Sequence, residues 1–322
     1  MTTVPQISII LPVRCRTTFT TNALASLIEH GIRKDHQIIL VLDKTSLTYE
    51  MQRYPNKFPK DILQQDEEGM KRVDNWVDTH SDILKKYDIK IVIAKGGEDL
   101  WLDHKRVSFA LEEGRKHVKY NWILGYADED LVFQKYWDYN LWRYMSDKDP
   151  KKYCVVPTKV SAIFVEQEPE ISFAWLSNRV NSFSKTWMII PFPVSDRKIL
   201  EWKYRLPYKN FHEYMDKILL YGNAFFENCG LRINGDSSPF FVHKSLVDSV
   251  NGWSIDGWFS DCHSLDARFD FRLGSIGIIK IIPRDCFVLH TKNPLFISEE
   301  VDRIWADISY SPISGSVTHG LL

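Results

Sequence analysis

The chain lacks the short motifs that would place it quickly. No Cys-x-x-Cys pair occurs, and the five cysteines, Cys15, Cys154, Cys229, Cys262 and Cys286, are scattered and odd in number. That excludes zinc-ribbon and thioredoxin-like readings and leaves reduced, mostly buried thiols of a cytoplasmic protein as the expectation. No G-x-G-x-x-G follows the first apolar run, where the sequence is Pro12-Val13-Arg14-Cys15-Arg16, and no G-x-x-x-x-G-K-[ST] occurs anywhere. A dinucleotide-binding dehydrogenase and a P-loop NTPase both need such glycines to let backbone approach phosphate, so both are excluded. No apolar stretch reaches membrane-spanning length, and the run within MTTVPQISIILPV is too short for a signal sequence. The formal net charge of −1 gives no reason to expect a nucleic-acid partner.

What is present is ordinary globular composition, 44% hydrophobic and 26% charged, long enough at 322 residues for one large domain or two ordinary ones. Strand and helix patterns alternate through the first half. ISIILPV (residues 7–13) is an uninterrupted apolar run, the mark of a strand buried on both faces. Ala23, Leu24, Leu27 and Ile28 recur at helical spacing and stop at Gly31. QIILVL (37–42) is a second strand that ends at Asp43. Residues 46–68 carry turn and charge signals, and Met70, Val73, Trp76, Val77, Ile83 and Leu84 predict one amphipathic helix. IKIVIA (89–94) is a third strand closed by Gly96-Gly97, and residues 104–117 read as a helix. Such alternation implies an α/β fold with a mostly parallel, Rossmann-like central sheet flanked by helices.

The fourth strand brings the chemistry. In NWILGYADEDLVF (121–133) an apolar run meets a small-residue break and then three consecutive acids, Asp128-Glu129-Asp130. Adjacent carboxylates repel one another and stay ionised most easily with a counter-charge, such as a divalent cation held by oxygen ligands. The alternative is a solvated acidic turn, which is how Asp147 and Asp149 read, in a polar stretch before Pro150. Ligands of parallel sheets sit beyond the carboxyl ends of strands, and Asp43, Gly96-Gly97 and Asp128–Asp130 all fall there.

Past Tyr153 the pattern loosens. Residues 153–157 read as a strand, while about 158–235 read as a large aromatic-rich insert with helical stretches near 198–204 and 211–221. Regularity returns at 239–243 and 245–250, followed by Asn251-Gly252, a helix within 259–273, and a strong last strand at 276–282. The expected organisation is a first half of residues 1–150, a second of 151–302, and 303–322 as a fraying tail.

In this order, the strands ISIILPV and IILVLD, the Asp128-Glu129-Asp130 cluster, Asn251-Gly252-Trp253, the segment LDARFDFRL (265–273) and His290 resemble the family-2-type glycosyltransferases of GT-A fold. The resemblance covers about 7–133 and 239–290 and implies that residues 1–150 are the nucleotide-sugar donor-binding half and 151–302 the acceptor half. It implies a metal-dependent inverting transferase that uses Mn²⁺ or Mg²⁺ and moves a sugar from a nucleotide-diphosphate donor to a glycan or other hydroxyl acceptor. It also implies roles: Pro12 and Val13 cradle the nucleotide, Asp43 recognises the base, and Arg106 lines the donor site, with Val107 where the family has asparagine. Asp128 and Asp130 are the acids of the DxD motif. His290 completes the metal or diphosphate site, and Asp266 is the general base, flanked by Leu265 and Arg268 where the family carries acids. Asp270, one helical turn on, is the rival base, with Asp256 and Asp261 as loop acids within reach. Trp253 and Trp258 are either sugar-stacking or core residues, and His290 is either a ligand or a core histidine. The alternatives in function are a sugar nucleotidyltransferase of similar fold and a non-catalytic nucleotide-sugar or carbohydrate-binding protein.

Overall fold

A computed structural model describes residues 3–15, 17–45, 62–96, 103–125, 127–129, 131–161, 239–253, 269, 272–283 and 286–290. All of the predicted insert but its first four residues (158–161), the tail, and Asp130, Asp256, Trp258, Asp261, Asp266 and Asp270 lie outside the described residues, as does the side chain of His290.

The first three strands are β1 (Ile7–Val13), β2 (Gln37–Asp43) and β3 (Lys90–Ala94). Helix α1 (Thr17–His30) joins the first two, and α2 (Ile62–Thr79) and α3 (Ser81–Lys86) precede the third. Helix α4 (Asp103–Arg115) then leads into β4 (Trp122–Gly125), which is followed by β5 (Leu131–Phe133) and α5 (Trp137–Trp142). The remaining elements are β6 (Tyr153–Val155), β7 (Thr158–Ser161), β8 (Phe240–His243), α6 (Lys244–Ser249), β9 (Ile279–Ile281) and β10 (Phe287–His290).

Seven strands form one sheet in the order β3-β2-β1-β4-β8-β6-β9. The β1–β2, β2–β3, β1–β4 and β6–β9 pairings are parallel, and β8 runs antiparallel to both of its neighbours. This is the expected α/β architecture, a mostly parallel sheet flanked by helices. Alternation along β1 divides its side chains between the two faces. Ile7, Ile9, Leu11 and Val13 join Leu24, Leu27, Trp76 and Trp137 on one, and Ile10 joins Ala110, Leu111 and Trp253 on the other. Both faces are covered, which is why these strands are continuous apolar runs.

From β1 the chain moves outward through β2 to β3 and then returns to place β4 on the other side of β1. The β1–β2 register continues to Val13↔Leu42, whereas the β1–β4 register stops at Ile9↔Leu124. The two strands therefore part at their carboxyl ends. Pro12, which has no N–H to donate, lies beyond the last β4-paired residue.

Three expectations need correction. The predicted single helix around Met70–Leu84 is two helices. His80 leaves helical geometry at φ −100° and ψ 12°, and its Nδ1 lies 2.7 Å from the Trp76 carbonyl oxygen. The first of the two begins earlier, at Ile62, because its inward face carries Asp66 and Gly69, which the apolar periodicity does not register. The predicted strand at 276–282 shrinks to Ile279–Ile281 at the sheet edge, where Ile276 and Ile279 are about half exposed. And Phe287–His290, read as following the last strand, is itself a strand. It lies between β5 (antiparallel) and β7 (parallel) in a separate three-stranded sheet.

Candidate functional site

The carboxyl ends of β1 and β4 gather residues from several elements. Arg14 immediately follows β1 and is buried. Its guanidinium forms two parallel bonds to Asp66 of α2, Nε to Oδ1 at 2.9 Å and Nη2 to Oδ2 at 2.8 Å. Nη1 donates to Asp43 Oδ2 at 2.7 Å and Nη2 to the Thr45 carbonyl at 2.7 Å. The planar fork of arginine can serve these acceptors together, which a lysine ammonium cannot do. Burial works against the Arg14 charge, but Asp43 and Asp66 beside it outweigh that effect, so its pKa is raised.

The backbone of the same residue faces β4. Arg14 N–H donates to Glu129 Oε2 at 3.1 Å, and Thr20 Oγ1 of α1 lies 3.4 Å from the same oxygen. Glu129, the middle acid of the Asp-Glu-Asp run, is therefore turned inward and is only 4% exposed, whereas Asp128 before it is half-buried. The turn is closed by Leu131 N–H donating to the Asp128 carbonyl at 3.1 Å.

Asp43, where the resemblance expects base recognition, is buried and well supplied with partners. Oδ1 accepts from Thr45 N–H at 2.9 Å, and Oδ2 accepts from Arg14 and lies 3.5 Å from Arg106 Nη1. Arg106 itself, on α4, is 1% exposed. Thr45 Oγ1 accepts from Gly96 N–H at 3.1 Å, which ties the end of β3 into the cluster. Pro12 and Val13 sit at the end of β1, as expected, with Pro12 the more exposed of the two.

The opposite side of β4 is set by the Asn251-Gly252-Trp253 turn. Asn251 and Gly252 have φ of 59° and 71°, a left-handed pair that glycine tolerates freely and asparagine better than most. Trp253 N–H donates to Glu112 Oε1 and Ser108 Oγ donates to the Trp253 carbonyl, while Arg272 donates to the Val250 and Gly252 carbonyls, both at 2.9 Å. The indole is fully buried and packs on Gly125, the last residue of β4. Of the two fates open to Trp253, it takes the core one.

The structure thus brings together Pro12, Val13, Asp43, Arg106 and Asp128, while the placement of Asp130, Asp266 and the His290 imidazole falls outside the described residues. His290 ends β10, where its backbone is paired with Leu131 of β5. Sequence reasoning missed Arg14, Asp66 and the role of Glu129. A charged residue directly after a fully buried strand was the available signal for Arg14; Asp66 sits in a charge-rich stretch and gave none.

Among the described residues, no three His, Cys, Asp or Glu side chains converge as a ready-made metal cage. Of the residues expected to hold a cation, Asp128 is described, and its carboxylate is an oxygen donor of the kind that hard divalent cations take. Asp128 is half-buried at the crevice, and the Arg14 guanidinium is committed to Asp43 and Asp66.

No protein-family model matches the chain, and no curated protein matches it. Solved structures do. The mannosyltransferase PcManGT from Pyrobaculum calidifontis, in complex with GDP-Man and Mn²⁺, is similar over 90% of this chain and 58% of its own, with a TM-score of 0.44 and 12% identity. S. aureus TarS 1-349 is similar over 49% of this chain and 36% of its own, with a TM-score of 0.29 and 14% identity. A second S. aureus TarS structure shows the same similarity over 22% of its length. The chain spans less than two thirds of the length of these neighbours. No helix among the described residues is long and apolar enough to cross a membrane.

Proposed function

We propose that this protein is a metal-dependent glycosyltransferase that takes a nucleotide-diphosphate sugar as donor and a hydroxyl group as acceptor. The observation that carries the reading is the acidic turn Asp128-Glu129 at the point where the strand order reverses, in the crevice where β1 and β4 part. Open α/β sheets bind their ligands at that place.

In this reading Asp128 and Asp130 hold the cation, with His290 as a further ligand, and Pro12 and Val13 border the nucleotide. Asp43 and Arg106 form the wall on its base side. When bound, Mn²⁺ or Mg²⁺ supplies positive charge to the diphosphate leaving group. Asp266 takes the proton of the acceptor hydroxyl as it attacks the anomeric carbon, because a neutral hydroxyl is a weak nucleophile. Direct displacement breaks the sugar–phosphate bond as the new glycosidic bond forms, which inverts the anomeric centre. The Arg14–Asp66 and Arg14–Asp43 pairs hold the floor of the site, so Arg14 does not compete with the cation for Asp128.

The test is thermal unfolding with nucleoside diphosphates and nucleotide sugars, with and without Mn²⁺. A ligand that binds only the folded state raises the midpoint by linkage. The expected result is a shift for one nucleotide that requires Mn²⁺ and is lost in Asp128→Ala. The absence of any metal-dependent shift across the panel would overturn the reading. Transfer assays on Asp266→Asn then examine the base.

A further inference from the structure

We propose that Arg14 and Glu129 are positioning residues of the metal–diphosphate site, an inference that rests on the transferase reading. Of the two described acids of this turn, Asp128 is half-buried and the longer Glu129 is drawn inward. Glu129 is buried and receives Arg14 N–H at 3.1 Å and Thr20 Oγ1 at 3.4 Å. It is spent on the protein, not on a ligand.

Its anchor is held in turn. Arg14 has no secondary-structure partner of its own, since β1 ends at Val13. What immobilises residue 14 is its side chain, fixed to Asp66 on α2, Asp43 at the end of β2 and the Thr45 carbonyl. Thr45 Oγ1 accepts from Gly96 N–H beyond β3. One residue therefore links the ends of β1 and β2 and helix α2 through its guanidinium, with β3 tied in through Thr45, and the acidic turn after β4 through its backbone. The partners are far apart in sequence, 52 residues for Arg14–Asp66 and 115 for Arg14–Glu129. The arrangement sets where Asp128 stands relative to the nucleotide side of the crevice, and neither Arg14 nor Glu129 needs to touch the cation.

Two kinds of substitution separate positioning from charge and from ligation. Arg14→Lys keeps the positive charge but loses the fork that reaches two carboxylates and a carbonyl together. Glu129→Gln keeps an acceptor for Arg14 N–H but would be a poor metal ligand, whereas Glu129→Ala removes the acceptor. The measurements are Mn²⁺ binding by electron paramagnetic resonance, performed well below the unfolding midpoint, and the ligand-free thermal midpoint of each variant. The expected result is Mn²⁺ binding roughly 10–100-fold weaker in Arg14→Lys and Glu129→Ala, the range typical of residues that orient metal ligands. Glu129→Gln stays close to wild type.

Wild-type affinity in Arg14→Lys would show that charge alone is needed and would overturn the role of Arg14. Loss of Mn²⁺ binding in Glu129→Gln equal to that in Glu129→Ala would make Glu129 a ligand and overturn its role. Failure of the wild-type protein to bind Mn²⁺ would instead remove the transferase reading, and the inference with it. A variant whose midpoint falls below the assay temperature is replaced by Thr20→Val, which removes the second donor to Glu129 and is expected to weaken Mn²⁺ binding in the same direction. Unchanged binding in Thr20→Val would count against the tether.

Discussion

Replacing Gly125 by alanine tests how the end of β4 is held. A Cβ at this position would lie 3.0 Å from Trp253 Cη2 and 3.1 Å from Cε2, and closer still to Cζ2, so the indole or the strand must move. The indole cannot swing aside cheaply. It is fully buried, its ring neighbours Phe269 at a centroid distance of 5.6 Å, and its backbone is gripped on both sides by Glu112 and Ser108. Alanine is the better strand residue by less than about 1 kcal/mol. Overpacking a filled core costs about 1–3 kcal/mol, and the rigidity of this contact places the loss toward the upper end. At about 2 °C per kcal/mol for a chain of this size, the thermal midpoint should fall by roughly 2–6 °C. Trp253→Phe removes the atoms that clash, so in the Gly125→Ala background it should cost less than it does alone. A double-mutant cycle by urea unfolding is expected to give a coupling of about 0.5–3 kcal/mol. Strict additivity, or an unchanged midpoint in Gly125→Ala alone, would refute the claim that the indole fixes the carboxyl end of β4.

Two further outcomes follow from other contacts. Asp138, fully buried, accepts from Ile32 N–H at 2.8 Å, Arg33 N–H at 2.9 Å and Tyr139 N–H at 2.9 Å, and from His36 Nε2 at 3.0 Å. Burial alone would raise its pKa, but the His36 bond and the Arg33 and Ile32 amides win and hold it below the usual carboxylate value. Its stabilising contribution is therefore full above the unfolded carboxylate pKa of about 3.9 and is lost as pH falls through the lower folded value. Asp138→Asn should cost about 1–3 kcal/mol at neutral pH and flatten the acid limb of the stability profile measured by urea unfolding; an unchanged acid limb would count against it. Gly69→Ala sets two effects in opposition. Helix propensity favours alanine by about 1 kcal/mol, but a Cβ would meet Cys15 Cβ at 2.6 Å and Sγ at 2.8 Å. The Cys15 Cβ is fixed to the backbone, so the clash should dominate and the midpoint should fall. A rise would show that α2 does not need this close approach.

The chain carries its sheet openly. ISIILPV, QIILVLD and the alternation with helices are local patterns, because a strand buried on both faces must be apolar throughout and a helix on a sheet must be apolar on one side. The position of the acids at the end of the fourth strand was legible for the same reason. So was the mostly parallel order, since strands joined by helices have few other ways to pair.

The tertiary structure decided what local pattern does not encode. That α2 begins at Ile62 depended on Asp66 being buried, and a carboxylate is buried only because Arg14, 52 residues earlier, meets it. That β10 is a strand depended on β5 and β7, which flank it; four residues give little periodicity to read. That Glu129 turns inward between two similar acids depended on an N–H 115 residues away. Composition places charges and apolar runs along a chain, but the partner of a buried charge is set by which strand ends the topology brings side by side.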